Sequence, residues 1–177
     1  GFEEVRTARV IEDELKKIIA ACHEIGVTAS SLAGPVDLDS EEETIDLSEP
    51  LILSAYGEWT KQSGYFSVRP GREPEELLYD DKMIGGLTKA EDSNRIIFTQ
   101  QTFQEFPDYW VSDTQFRNPR KVTDANPQQE DFAWSPGRVL IDYVDERGNE
   151  LQGTLGLPAG YEEGKRYPML VYFYELS

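Results

Sequence analysis

The chain has one cysteine, Cys22, and one histidine, His23, in 177 residues. A single cysteine excludes an intrachain disulfide. It leaves the compartment open, because many periplasmic proteins also carry none. A single histidine leaves little for imidazole chemistry, and His23 has no visible Cys, Asp or Ser partner, so it reads as a surface or boundary residue. No apolar run approaches the length of a membrane span. There is no Asn-x-Ser/Thr acceptor, no signal-like segment and no initiator Met before Gly1, which leaves an upstream targeting segment open. Positive charge is scarce: 17 Lys and Arg face 34 Asp and Glu, for a formal net charge of −17. Nucleic acid and anionic membrane surfaces would repel such a chain. The composition reads as that of a soluble protein of the periplasm or cytoplasm with an acidic, solvated surface.

The acids crowd one stretch, with Asp37, Asp39, Glu41, Glu42, Glu43, Asp46 and Glu49 in close succession. A calcium loop of the EF-hand type needs glycine at its sixth position and a bidentate Glu at its twelfth. Counted from Asp37, those places hold Glu42 and Ser48. The stretch therefore reads as a solvated connector, and neither a metal nor a cofactor is expected.

Before the connector, Ile11, Leu15, Ile18, Ile19, Cys22 and Ile25 recur at helical spacing. Glu12 with Lys16 and Asp13 with Lys17 are acid-first i,i+4 pairs, and Gly26 supplies a stop. The pattern predicts an amphipathic helix, with Cys22 packed on its apolar stripe. Val27 to Pro35 reads as a loop.

From Pro50 the period changes. Short strands are predicted at Leu51–Tyr56, Gly64–Val68, Glu76–Tyr79, Met83–Leu87, Arg95–Thr99, Asp108–Ser112 and Arg120–Thr123, with turn residues between them. Such spacing suits an all-β sandwich, barrel or propeller, and these strands would fill roughly one and a half to two four-stranded propeller blades. Trp59, Trp110 and Trp134 read as blade or interface core. Arg138–Val144 and Glu150–Leu157 pair as a hairpin around Glu146-Arg147-Gly148-Asn149, with Leu140, Tyr143, Leu151, Leu155 and Leu157 as its apolar contacts. Lys165 to Glu175 then runs from a basic turn through Tyr167-Pro168 into an unbroken apolar and aromatic stretch. That stretch predicts a strand buried on both faces, as in a mixed or parallel sheet. Such a strand needs neighbours, and the expectation is that the chain is a piece of a larger protein.

Two ordered stretches carry a resemblance. Phe106-Pro107-Asp108-Tyr109-Trp110-Val111-Ser112 followed by Lys121-Val122-Thr123-Asp124-Ala125-Asn126-Pro127-Gln128 resembles the last propeller blade of the prolyl oligopeptidase family of serine peptidases. Gly148-Asn149-Glu150-Leu151-Gln152-Gly153-Thr154-Leu155-Gly156-Leu157-Pro158 is similar to that family's entry into its α/β-hydrolase domain. The likeness runs in order from about Leu51 to Tyr174 and does not cover residues 1–49.

After the helix and acidic connector read from the residues over 1–49, the resemblance implies a mainly β fold: partial β-propeller blades over 50–130 and the first strands of an α/β-hydrolase sheet over 131–177, truncated before the catalytic residues. It implies a parent that hydrolyses peptide bonds by acyl transfer through a Ser-Asp-His triad. This chain contains no Gly-x-Ser-x-Gly elbow, and its histidine lies on the wrong side of the β region. The triad would lie beyond Ser177, and the chain alone is expected to be inactive. One functional position is implied, Tyr174, as a phenolic donor to the oxyanion hole. The family usually continues there with Gly-Gly or Gly-Pro, where this chain has Glu175-Leu176.

Two other readings stand beside this one. The chain could be a non-enzymatic β-rich binding module whose terminal strand pairs with a partner. A carbohydrate-active propeller enzyme would instead need inward-facing carboxylate pairs.

Overall fold

The computed structural model describes residues 28–29 and 49–173. The predicted helix at 11–25, Cys22, His23, nearly all of the acidic connector and Tyr174 lie outside the described residues. The chain divides into two compact units, Gly1–Pro127 and Gln128–Ser177.

The first unit holds two four-stranded antiparallel sheets, each a meander in which consecutive strands pair. The first sheet comprises β1 (Thr28–Ala29), β2 (Leu51–Tyr56), β3 (Ser63–Val68) and β4 (Glu75–Asp80). The second comprises β5 (Met83–Lys89), β6 (Ile96–Gln101), β7 (Asp108–Ser112) and β8 (Arg120–Lys121). The strand β1 was not foreseen. Its two residues sit in a stretch rich in small residues that reads as a loop, yet they pair with Tyr56 and Ala55. A ladder two residues long is too short to imprint any periodicity on the sequence.

Apolar side chains from both sheets build one core. Ile52 and Tyr65 from the first sheet meet Ile96 and Phe98 from the second, with Leu77, Leu78, Ile84, Leu87 and Trp110 packed around them. Each such side chain stabilises the fold by roughly 1.5–3 kcal/mol on burial. The Tyr65 hydroxyl is hydrogen-bonded to the backbone of Leu87 on β5, so its polar end is satisfied inside the core. Ser63 ties the sheets at one end: its hydroxyl donates to Lys82 O (2.6 Å) and accepts from Ile84 N (3.1 Å). A second cluster packs Ala55, Phe66 and Tyr79, the last two rings edge to face at 5.5 Å.

Two glycines have structural duties that their positions demand. At Gly64 a Cβ would fall 1.8 Å from Leu78 O, so β3 and β4 approach there only because the side chain is missing. Gly86 takes a φ of 63°, and the register between β5 and β6 shifts beside it, between Gly85 and Thr88.

The second unit begins with a short 3-10 helix, Pro127–Asp131, which spans the boundary and was not predicted. Then β9 (Arg138–Val144) and β10 (Glu150–Gly156) form the expected hairpin in continuous register from Arg138↔Gly156 to Val144↔Glu150. Asp145 builds its turn, accepting from Arg147 N and Asn149 N at 2.8 Å and from Asn149 Nδ2 at 2.7 Å.

Several side-chain expectations need correction. Trp59 and Trp134 are about half exposed, and only Trp110 packs against the core. Trp59 sits in the turn between β2 and β3, and Trp134 sits in a connecting segment, donating from its indole to Gln129 O. Tyr143 is exposed, and Leu140, Leu151, Leu155 and Leu157 are only partly buried; among the described residues of this unit the hairpin is the one sheet.

Candidate functional site

The one side chain assigned a catalytic role from sequence, Tyr174, falls just beyond the described residues. The approach to it is described. Ser135 clips the base of the hairpin: its hydroxyl donates to Leu157 O (2.6 Å) and accepts from Gly137 N (3.0 Å). The loop that follows is folded on itself. The rings of Tyr161 and Tyr167 lie 5.4 Å apart, Glu162 N donates to the Tyr167 hydroxyl at 3.0 Å, and Lys165 Nζ lies 2.6 Å from Glu162 Oε1. These contacts fix the residue just before Pro168.

Beyond Pro168 the structure departs from the sequence reading. Residues 167–173 form no strand, and Met169, Leu170, Val171, Tyr172 and Phe173 are all exposed, Leu170 at 93% and Phe173 at 83%. The expectation of a strand buried on both faces is therefore not met within the described residues. A strand of that kind needs hydrogen-bonded neighbours and covering layers. The described part of this unit offers a single hairpin.

A more completely built site lies where β7 begins. Asp108 is 3% exposed. Its Oδ2 sits 2.7 Å from Lys121 Nζ, and its Oδ1 accepts from Thr123 Oγ1 (2.5 Å) and Ala125 N (2.9 Å). The hydrogen bond from the Lys121 ammonium, followed by that from Thr123, holds the carboxyl down to about 2. Lys121 is correspondingly pushed up, chiefly by its bond to Asp108. Thr123 Oγ1 also accepts from Tyr109 N at 2.9 Å. This explains why β8 ends at Lys121 instead of running to Thr123: past Val122, whose N still donates to Tyr109 O, a side chain takes over from the ladder.

Chemically, Asp108 is a fixed anion held by three donors. It has no proton to give near neutral pH and serves to anchor residues 121–125. Sequence reasoning took Asp108 only as part of a strand motif. The available signal was a Thr fifteen residues further on, close behind a Lys, which together supply a hydroxyl and a cation to one carboxylate.

The serines with defined contacts are equally committed. The hydroxyls of Ser63, Ser112 and Ser135 donate to the carbonyls of Lys82, Arg117 and Leu157, respectively. A nucleophilic serine needs instead a base within hydrogen-bond reach. Among the described residues, no group of three or more His, Cys, Asp or Glu could hold a metal ion, and no helix is long and apolar enough to cross a membrane.

No protein-family profile matches the chain, and no curated protein matches it in sequence. Its fold is similar to that of a solved structure of the AtxE2 isopeptidase, a variant with Astexin3-dC4 bound. The two share 15% sequence identity and superpose with a TM-score of 0.51 over 70% of this chain, which spans 19% of that chain's length. At that identity the likeness is one of fold: a mainly β chain of antiparallel sheets, similar over most of its length to part of a peptidase.

Proposed function

We propose that the chain is a fragment of a serine-type peptidase of the prolyl oligopeptidase kind, whose parent hydrolyses peptide bonds by acyl transfer. Residues 50–130 would be late propeller blades, and 131–177 the entry strands of an α/β-hydrolase domain. The helix and acidic connector of 1–49 would precede them. The observation that carries the reading is the fold likeness to an isopeptidase over 70% of the chain. Two further features support it. Each sheet of the first unit is a four-stranded meander, the unit from which propellers are built. The two motif stretches fall where the reading needs them, at β7 and its anchored continuation and at the hairpin β9–β10.

In this reading Tyr174 donates its phenolic hydrogen to the charge that develops on the substrate carbonyl oxygen. The nucleophile, acid and base come from residues beyond Ser177. A peptide is the substrate, no cofactor takes part, and residues 1–177 alone are inactive. The test is hydrolysis of short peptides by the full-length product of the coding sequence beside residues 1–177. Turnover by the first alone is expected; turnover by neither, with both folded, contradicts the reading.

A second reading is favoured by the exposed run Met169–Phe173. A non-enzymatic binding module could use that run to pair with a partner strand. A cooperatively unfolding, monomeric chain without hydrolytic activity at any length supports this second reading.

A further inference from the structure

We propose that residues 113–118, within the loop between β7 and β8, form a releasable plug, and that the slot it fills between the two sheets accepts an aromatic side chain of a peptide when the plug withdraws. The inference stands on the geometry of this loop and does not depend on the peptidase reading.

Phe116 is the plug. It is buried, and among the described residues it is the one member of the buried core cluster that comes from a loop; Ile52, Tyr65, Ile96 and Phe98 all belong to strands. Its ring stacks on Tyr65 of the first sheet at 5.4 Å with an interplanar angle of 19°, and tilts on Phe98 of the second at 5.2 Å. The side chain therefore touches both sheets from a segment that belongs to neither ladder. Its backbone is left-handed, with φ 53°, and Asn118 follows at φ 52°. A bulky residue rarely adopts that conformation, and strain of this kind persists only where the surroundings impose it.

What imposes it is a small set of polar contacts on the loop itself. The Asp113 carboxylate accepts from Gln115 N, Arg117 N and Arg117 Nε, each at 3.0 Å. Phe116 N donates to Asp113 O at 2.9 Å, and Ser112 Oγ donates to Arg117 O at 2.8 Å. Thr114 is tied to Asn94 Oδ1 on the neighbouring loop. Breaking these contacts relieves the strain at Phe116, a release that no strand residue of the core could gain. The space vacated would be walled by the rings of Tyr65 and Phe98, within a cluster of apolar side chains, a surface suited to a flat ring.

Hydrogen exchange on the full chain, with and without N-acetyl-phenylalaninamide as the probe, tests the proposal. Without probe, the amides of 114–117 are expected to exchange roughly a hundredfold faster than those of β6, through an opening smaller than global unfolding. With millimolar probe they are expected to exchange faster still, because the probe holds the slot that Phe116 has left. A common rate for both segments, or no response of 114–117 to the probe, overturns the proposal. Phe116→Gly removes the plug and its strain, and the folded variant is expected to bind the probe at least about tenfold more tightly than the natural chain. Equal affinity also overturns it. If that variant does not fold, the exchange measurement on the natural chain decides alone.

Discussion

Lys121 Nζ lies 2.7 Å from Asp108 Oδ2, and this ion pair pins the shortest strand of the second sheet onto its neighbour. With two ladder residues, Arg120–Lys121, the strand has few backbone bonds of its own. The carboxylate replaces part of the missing ladder by gathering Lys121, Thr123 and Ala125. Residues 121–125 are thereby fixed at the point where the chain leaves the first unit.

The anchoring is expected to depend on pH in one direction. In the folded chain the carboxyl titrates at about 2, against an ordinary 3.8. Folding favours the anion, so this stabilisation is full above the ordinary value and is lost as pH falls toward about 2. Thermal unfolding of the natural chain and of Asp108→Asn checks it. The natural chain is expected to unfold at the higher temperature at neutral pH, with the gap closing in acid. A gap that persists unchanged in acid would refute the assignment.

Glycines at two strand positions are expected to behave in opposite ways. A methyl at Gly64 would meet Leu78 O at 1.8 Å and Tyr79 Cα at 2.8 Å, backbone atoms that cannot step aside without parting β3 from β4. Gly64→Ala is expected to cost about 2–3 kcal/mol. At Gly85 nothing lies within 4 Å of the same methyl. Gly85→Ala is expected to fall within about 0.5 kcal/mol of the natural chain. Chemical denaturation of both variants reads the difference.

Tyr174 carries the catalytic prediction. If it donates to the oxyanion, Tyr174→Phe in the full-length protein is expected to lower kcat by about 10²–10³ and leave KM nearly unchanged. The missing bond is one made only in the transition state. A rise in KM with kcat intact would assign Tyr174 to substrate binding.

Much of the β region could be read from the sequence for a physical reason. In β2, β6 and β7, apolar and aromatic residues recur densely enough to mark the strands, and glycine, proline or asparagine mark the turns between them. The hairpin was legible because Gly148, at φ 86°, closes a turn that Asp145 and Asn149 stabilise locally. Features that rest on contacts distant in sequence were not. Phe116 looks like one aromatic in a polar loop, and its place in the core follows only from where Tyr65 and Phe98 stand. The burial of Asp108 was hard to read, because the groups that compensate it arrive only at Lys121, Thr123 and Ala125. The run after Pro168 misled in the opposite sense. Apolar composition signals a capacity for burial, but burial also needs a second surface, and the described residues of that unit provide a hairpin alone.

The most direct test of the peptidase reading is covalent labelling of the full-length protein with a serine-directed fluorophosphonate, with the modified residue located by mass spectrometry. The account predicts one labelled serine beyond Ser177, within a Gly-x-Ser-x-Gly sequence, and no label on residues 1–177. Label on a serine within residues 1–177, or no label on a folded full-length protein, would contradict it.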